Sequence, residues 1–313
     1  MLTDDFWVIT SYFNPAGYRR RFDNFNRFRK ALDAPLIVAE MSRSDQFEVV
    51  ADDRTQVVRL PRADVMWQKE SLLNVALDHL PPSAKYVAWL DCDVILEDRD
   101  WREAARRALA VFPLIQLFTD LYDLPPSGLM DPLPALTGRS VASLNARGAV
   151  PEVAYRPVEQ SQLRGASFGL AWAARVELMR EHRFYDAMIV GGGDRSFGAA
   201  ALGRWAEAVW LHQLQPARAA HYEAWAKPFH QAVQGDIGAL PGRLFHLWHG
   251  DIADRSYTER HVRFANFPFD PSVDLARDPN GLWKWAQPRA DIAEFMEEYF
   301  ASRHEDGPVE VLP

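Results

Sequence analysis

The sequence WQKESLLNVALDHLPPSAKYVAWLDCDVI, residues 67–95, contains an amphipathic helical pattern, a proline pair and then a strand that ends in two aspartates. The run Tyr86–Leu90 is almost wholly apolar, which is typical of a strand buried on both faces. Asp91 and Asp93 follow it, and carboxylates at the mouth of a buried strand are costly without a partner. A hard divalent cation such as Mg²⁺ or Mn²⁺ would explain them. A solvated strand end is the alternative, because aspartate is common in turns.

Strands and helices alternate on both sides of this stretch. The pattern predicts strands at residues 6–10, 35–39, 55–60, 86–90 and 114–118, and helices at 18–32, 67–80 and 101–111. This alternation favours an α/β fold with right-handed βαβ units and a mostly parallel central sheet flanked by helices. Ligands of such sheets bind beyond the carboxyl ends of the strands, where we expect Asn14, Asp91 and Asp93.

The alternation ends at Tyr122, and residues 122–164 are rich in proline and glycine. We expect this stretch to lack regular structure and to form a mobile loop, since long loops inside a compact domain are usually functional or disordered. The later pattern predicts short helices at residues 173–180 and 191–202, a strand from 244 that passes into a loop by 250, and a last helix at 291–300.

The composition is that of an ordinary globular protein. The chain has 313 residues and a formal net charge of −8, which argues against nucleic acid as the main partner. We expect the Arg19-Arg20-Arg21 cluster to be a solvated helix face. A single cysteine, Cys92, excludes an intrachain disulfide and a cysteine-based zinc site. No basic, apolar leader and no membrane-span pattern is visible, so we expect a cytoplasmic protein.

His246 and His249 form a second group, in the run His246-Leu247-Trp248-His249-Gly250. The run indicates a strand that ends in a turn, where two imidazoles can converge. Taken alone, such histidines are more often structural. Together with Asp91 and Asp93 they favour a metal site, because a carboxylate with imidazoles suits Mn²⁺ better than Mg²⁺ or Ca²⁺.

The run Gly191-Gly192-Gly193-Asp194 forms a third group. Glycines let another molecule approach the backbone closely. Asp194 then opens a helix, either as its N-cap or as a general base that accepts a proton from an incoming hydroxyl. At the start of an earlier helix, where anions are favoured, Trp67 could stack on a base or sugar and Lys69 could reach a phosphate.

The stretch 67–95 resembles the equivalent segment of the β-1,4-galactosyltransferases, in which an aromatic and a basic residue, then Leu-Leu-Asn, precede a strand ending in Asp-Val-Asp. The order of later features is similar. A glycine-rich strand and short helix precede a Gly-Gly-acidic turn, and a metal-binding pair spaced by three follows. The resemblance covers about residues 6–20, 65–97 and 165–250.

The resemblance implies a single GT-A domain, a nucleoside-diphosphate sugar as donor, with UDP as the default nucleotide, and Mn²⁺ or Mg²⁺. Asp194 would deprotonate the hydroxyl of a carbohydrate or glycoconjugate acceptor, with inversion. The metal would be held by Asp93, His246 and His249. The donor would be bound by Thr10, Ser11, Asn14, Trp67, Lys69, Asp91, Gly192 and Gly193. The domain would comprise a nucleotide-binding half (1–120), a mobile acceptor-side loop (121–164), an acceptor and metal half (165–250) and a C-terminal helical extension (251–313).

The chain departs from the family in three places. The family has Met where this chain has His246, Trp where it has Val190, and Gly-Gly-Glu-Asp where it has Gly192-Gly193-Asp194, so one acidic residue is missing. The family's secretory anchor is not seen, which suggests a bacterial or viral cytoplasmic enzyme. Two alternatives stay open: a nucleotidyltransferase acting on sugar phosphates, and a non-catalytic carbohydrate-binding protein with the same fold.

Overall fold

The computed structural model describes residues 4–149 and 166–307. The strands of this part are β1 (Phe6–Phe13), β2 (Leu36–Met41), β3 (Thr55–Leu60), β4 (Tyr86–Leu90), β5 (Val94–Leu96), β6 (Leu114–Gln116), β7 (Asp120–Asp123), β8 (Gly138–Ser140), β9 (Ala166–Ser167), β10 (Ala171–Arg175), β11 (Ile237–Ala239), β12 (Arg243–His246), β13 (Leu275–Arg277) and β14 (Trp283–Trp285). Its α-helices are α1 (Arg19–Ala31), α2 (Lys69–Asp78), α3 (Trp101–Leu109), α4 (Val141–Asn145), α5 (Val176–His182), α6 (Gly193–Ala201), α7 (Trp205–Leu211), α8 (Pro216–Val233), α9 (Glu259–Phe264), α10 (Pro271–Asp274) and α11 (Ala290–Ala301).

A seven-stranded sheet forms the centre, in the order β11-β6-β10-β4-β1-β2-β3. All its neighbouring pairs are parallel except those of β10, which runs antiparallel to both β4 and β6. This confirms the predicted α/β class with a mostly parallel central sheet. The helix predicted at 173–180 instead begins at Val176, because Ala173 and Ala174 are small enough to lie fully buried within β10.

A second sheet has the order β5-β12-β7-β8-β9 and was not predicted. Strand β12 lies between β5 and β7, so that His246 is opposite Val94 on one side and Asp123 on the other. The chain passes from β4 of the central sheet through Asp91 and Asp93 into β5. The junction between the two sheets therefore carries the aspartates and one histidine to the same place.

The expectation of an irregular loop at 121–164 is wrong for part of that stretch. Strands β7 and β8 and the short helix α4 lie in it, because β7 pairs with β12 and β8 with β9. Residues 150–164, which also belong to the predicted mobile loop, lie outside the described part. The predicted C-terminal extension at 251–313 contains a β13–β14 hairpin besides its helices. No helix in the described ranges has the length and apolar character of a membrane span.

An aromatic cluster fixes the end of β4 relative to helix α6. The rings of Trp89 and Phe197 have centroids 5.3 Å apart in an edge-to-face arrangement, and Trp89 also packs on Trp172 and Phe184. Edge-to-face pairs add to the stability that burial alone provides. Because Trp89 precedes Asp91 by two residues and Phe197 follows Asp194 by three, this cluster holds the two carboxylates at one side of the core.

Candidate active site

A cleft opens at the carboxyl ends of β1 and β4, the position expected for ligands of a parallel sheet. Most of the residues proposed from the sequence line it. They are Ser11, Trp67, Lys69, Asp91, Asp93, Gly192, Gly193, Asp194, His246 and His249. The fold therefore brings together groups that are up to 238 residues apart in the sequence, from Ser11 to His249.

Thr10 and Asn14 are not among the residues that line the cleft. The full burial of Thr10 corrects the expectation that its side chain contacts the donor, whereas the donor contact expected of Asn14 stays a prediction. Strand β1 extends to Phe13, so Thr10 lies inside it, fully buried, and its hydroxyl donates to the Leu90 carbonyl at 2.6 Å. Asn14 stabilises the turn before α1 by exchanging hydrogen bonds of 3.0 and 2.9 Å with the backbone of Tyr18. Both side chains serve the fold.

Asp93, His246 and His249 form a candidate metal centre. One ligand atom from each lies within 4.8 Å of the other two. His249 Nε2 is 3.2 Å from Asp93 Oδ2 and 3.2 Å from His246 Nε2. Asp93 Oδ1 is buried and has no hydrogen-bond partner within residues 4–149 and 166–307. Imidazole nitrogens that face each other across an unpartnered carboxylate oxygen suit a cation with mixed nitrogen and oxygen ligands, such as Mn²⁺.

Two further carboxylates lie near the Nδ1 atoms of the two histidines. Asp123 Oδ1 lies 2.7 Å from His246 Nδ1, so that Nδ1–H donates to Asp123 and leaves Nε2 free to coordinate. Glu305 Oε1 lies 3.9 Å from His249 Nδ1. Burial, together with the nearby Arg255 guanidinium, lowers the pKa of His249 to about 3. Its ring is therefore neutral at pH 7, which is the form that binds metal.

Asp93 is held as a carboxylate. Burial alone would raise its pKa, but His249 and His246, together with the Arg21 and Arg255 guanidinium groups, outweigh this effect, and the pKa of Asp93 falls below its usual value. An ionised carboxylate and two imidazoles are three of the four to six ligands that a divalent transition metal needs. The remaining positions would be available to a substrate or to water.

Lys69 connects the two predicted carboxylates outside the metal centre. Its Nζ donates to both oxygens of Asp194 at 2.8 Å and lies 2.5 Å from Asp91 Oδ1. Burial disfavours the ammonium, but Asp194 and Asp91 raise the pKa of Lys69 well above its usual value. Burial raises the pKa of Asp91 to about 6, despite the favourable contact with Lys69. The cleft thus contains one ammonium shared between two carboxylates.

Asp194 lies in the first turn of α6, directly after the glycine run. Gly192 has a φ of +94°, and a Cβ placed on it would lie 2.7 Å from the His212 ring. Both the left-handed backbone and the close imidazole require glycine there. Opposite, a Cβ on Gly169 would lie 2.6 Å from Asp194 Oδ2. The carboxylate of Asp194 is therefore confined between Gly169 and Lys69, with its side chain 34% exposed to the cleft.

Five arginines in the cleft were not predicted: Arg21, Arg195, Arg255, Arg260 and Arg303. Arg21 was expected in a solvated cluster, yet it pairs with the buried Glu305 at 2.5 Å. Arg255 and Arg260 have no carboxylate within 4.0 Å in the described part of the chain. Arg255 donates to the Tyr257 hydroxyl and the Gly250 carbonyl, and Arg260 donates to the Tyr299 hydroxyl.

Trp67 is part of an aromatic and cationic wall. Its ring stacks on Phe300 with centroids 5.9 Å apart and planes 4° apart, while the guanidinium groups of Arg260 and Arg303 lie 5.6 and 5.4 Å from its centroid. Phe300 and Arg303 come from α11 and the residues after it, beyond the region of sequence resemblance. Only long-range packing brings them to Trp67, so no local pattern could have identified them.

No protein-family model matches the chain, and no curated protein matches it. Solved structures do match. S. aureus TarS 1-349 in complex with UDP-GlcNAc is 12% identical, with 86% of this chain and 69% of that chain covered and a TM-score of 0.42. The mannosyltransferase PcManGT from Pyrobaculum calidifontis, in complex with GDP-Man and Mn²⁺, is 14% identical, with 95% and 69% covered and a TM-score of 0.42.

The catalytic domain of Drosophila beta1,4galactosyltransferase 7, in complex with xylobiose, also matches. It is 13% identical, with 61% of this chain and 58% of that chain covered and a TM-score of 0.27. At such identities and TM-scores, the chemistry of this chain has to be inferred from its own cleft.

Proposed function

We propose that the protein is a metal-dependent glycosyltransferase with a GT-A fold, which moves a sugar from a nucleoside-diphosphate sugar to a hydroxyl acceptor. One observation carries the proposal: the metal centre of Asp93, His246 and His249 shares a cleft with the linked Lys69 and Asp194. A cation site, a phosphate-binding ammonium and a carboxylate base are the groups that sugar transfer from a diphosphate requires. UDP is the expected nucleotide through the sequence resemblance.

The diphosphate leaves with negative charge, and the cleft can offset that charge. A divalent cation held by Asp93, His246 and His249 would supply Lewis-acid stabilisation of the leaving diphosphate. Lys69, Arg255 and Arg260 add fixed positive charges in the same cleft, and among the described residues no carboxylate lies within 4.0 Å of the two arginines to compete with a phosphate. Trp67, which the sequence predicts to stack on a base or sugar, lines the same cleft.

Asp194 is the proposed base. It would accept the proton of the acceptor hydroxyl as that oxygen attacks the anomeric carbon from the side opposite the leaving diphosphate, which gives inversion. In the structure its two oxygens accept hydrogen bonds from Lys69. A diphosphate near Lys69 would compete with Asp194 for this ammonium. Donor binding would thereby weaken the Lys69–Asp194 pair and leave the carboxylate available to the acceptor.

The nucleotidyltransferase alternative uses a similar set of paired aspartates and a metal. The two reactions differ in their products, because nucleotidyl transfer from a nucleoside triphosphate to a sugar phosphate releases pyrophosphate, whereas glycosyl transfer releases a nucleoside diphosphate. The placement of Asp194 next to the cleft favours glycosyl transfer, which needs a base for a neutral hydroxyl. A sugar phosphate already carries a nucleophilic oxyanion.

The first test is a thermal-shift screen of nucleotides and nucleotide sugars, each with and without Mn²⁺. At 100 times the dissociation constant a ligand stabilises the folded state by about 2.7 kcal/mol, which corresponds to roughly 5 °C in a chain of this size. We expect such a shift with UDP or a UDP-sugar plus Mn²⁺, and its loss when EDTA is added. A uniform absence of shifts across uridine and guanosine nucleotides would contradict the proposal.

Replacing Lys69 with methionine is expected to weaken UDP binding and to lower the free energy of unfolding. The substitution leaves Asp91 and Asp194 close together without their shared cation. Loss of one partner from a buried pair costs about 3–5 kcal/mol, and we expect about 2 kcal/mol here because both carboxylates are partly exposed. Urea unfolding measures the loss. The double variant K69M/D194N should recover part of the stability, and additive effects of the two substitutions would contradict the coupling.

A further inference from the structure

Glu70 lines the cleft, and its carboxyl group has no role in the proposed reaction. The residue is 4% exposed, and neither carboxyl oxygen has a hydrogen-bond partner on any other residue that the structure describes. Burial, followed by repulsion from Asp194, raises the pKa of Glu70 to about 8. At pH 7 the group is therefore mostly a neutral acid. A buried carboxylic acid without partners is expensive, because each oxygen lost its hydrogen bonds to water on folding.

The carboxyl group of Glu70 lies where a side chain at position 193 would begin. A Cβ built on Gly193 would be 2.0 Å from Glu70 Oε1 and 2.2 Å from its carboxyl carbon. Gly193 does not have the left-handed φ seen at Gly191 and Gly192. Its lack of a side chain is therefore required by Glu70 and not by its own backbone. Helix α2 thus places a carboxyl group directly before Asp194, at the position where the sequence lacks an acidic residue.

We propose that Glu70 binds a hydroxyl group of the transferred sugar and helps to determine which sugar the enzyme accepts; this inference rests on the proposed function. A sugar hydroxyl both donates and accepts hydrogen bonds, and so does a neutral carboxylic acid. A phosphate offers mainly acceptors, so it would leave the acceptor oxygen of the Glu70 acid without a partner. The Glu70 carboxyl and Asp194 are close enough for their charges to interact, so a hydroxyl bound by Glu70 would lie near the reacting carbon.

The experiment compares sugar-nucleotide binding with nucleotide binding. Calorimetry with Mn²⁺ would measure UDP, GDP, UDP-glucose, UDP-galactose, UDP-GlcNAc and GDP-mannose on the wild type, and the tightest sugar nucleotide is then used throughout. We expect Glu70→Ala to weaken its binding about tenfold while affinity for the free nucleotide stays within about twofold. Glu70→Gln should stay near wild type, because an amide also donates and accepts. Glu70→Met, which fills the space without a polar group, should also weaken sugar-nucleotide binding about tenfold. It takes the place of the alanine variant if that variant does not fold.

Moving the carboxyl group provides a sharper version of the test. In Glu70→Ala/Gly193→Glu, the alanine removes the three atoms nearest to a Cβ at position 193, whose φ is not left-handed, so the new side chain can bring a carboxyl to the same region. We expect this variant to recover sugar-nucleotide affinity, whereas the control Glu70→Ala/Gly193→Ala should not. Equal weakening of nucleotide and sugar nucleotide in Glu70→Ala and Glu70→Met, or no weakening of either, would overturn the inference. Wild-type protein that binds none of the six compounds would instead overturn the proposed function itself.

Discussion

Alanine at Asp93 or at His249 is expected to abolish Mn²⁺-dependent binding of UDP. Each substitution leaves two protein side chains to bind the metal in place of three. The loss of Mn²⁺ affinity should exceed the 10- to 100-fold effect that is usual when a residue that only orients a metal ligand is removed. We therefore expect the apparent affinity of UDP in the presence of Mn²⁺ to fall by about 100-fold or more. Calorimetric titration of UDP with Mn²⁺ and with EDTA measures this directly.

Two control variants separate metal binding from general damage. His304 has a side chain that is 62% exposed, and alanine there should leave the Mn²⁺ dependence unchanged. Asp123→Asn removes the carboxylate that accepts from His246 Nδ1, so it should weaken Mn²⁺ binding by about 10- to 100-fold without abolishing it. If Asp93→Ala or His249→Ala binds UDP with the metal dependence of the wild type, the metal centre is assigned to the wrong residues.

The central sheet could be predicted because its signals are local. Strands β1, β2 and β4 are short apolar runs, and amphipathic helices follow β1 and β3, so each of these elements could be identified from its own stretch of sequence. The second sheet could not be predicted in this way. Strand β7 is only four residues long and pairs with β12 across more than 120 positions of sequence, so the role of Asp123 depends on a contact that no local pattern contains.

The candidate site likewise contains residues that the sequence could predict and residues that it could not. The residues proposed for the metal centre follow strand ends or lie in short motifs, and the resemblance suggested that they meet. Glu70 escaped notice because its pattern is that of an ordinary amphipathic helix, and only the fold shows that it faces Gly193. Thr10 was misplaced because β1 runs three residues beyond the predicted end. Arg255, Arg260 and Arg303 lie after residue 250, where the resemblance ends.

Asparagine at Asp194 is expected to lower the rate of sugar transfer or donor hydrolysis by about 10³-fold while UDP binding is kept. The change is nearly isosteric and removes only the ability to accept a proton at neutral pH. The amide oxygen can still accept a hydrogen bond from Lys69, so the geometry around Asp91 should persist. Release of UDP from a UDP-sugar, measured at saturating donor, reports kcat, and calorimetry reports binding.

The rate of UDP release and the affinity for UDP together distinguish a glycosyltransferase from a nucleotidyltransferase and from a carbohydrate-binding protein. A large loss of kcat with unchanged UDP affinity assigns Asp194 to the chemical step. Asp236→Asn, an exposed change outside this cleft, should leave both quantities unaltered. A wild-type protein that binds UDP and carbohydrate but never releases UDP from any UDP-sugar would be a binding protein, and release of pyrophosphate from UTP and a sugar phosphate would identify a nucleotidyltransferase. Because Lys69 contacts Asp194 in the structure, a variant that loses UDP binding as well would place Asp194 in donor binding and leave the base to be found elsewhere in the cleft.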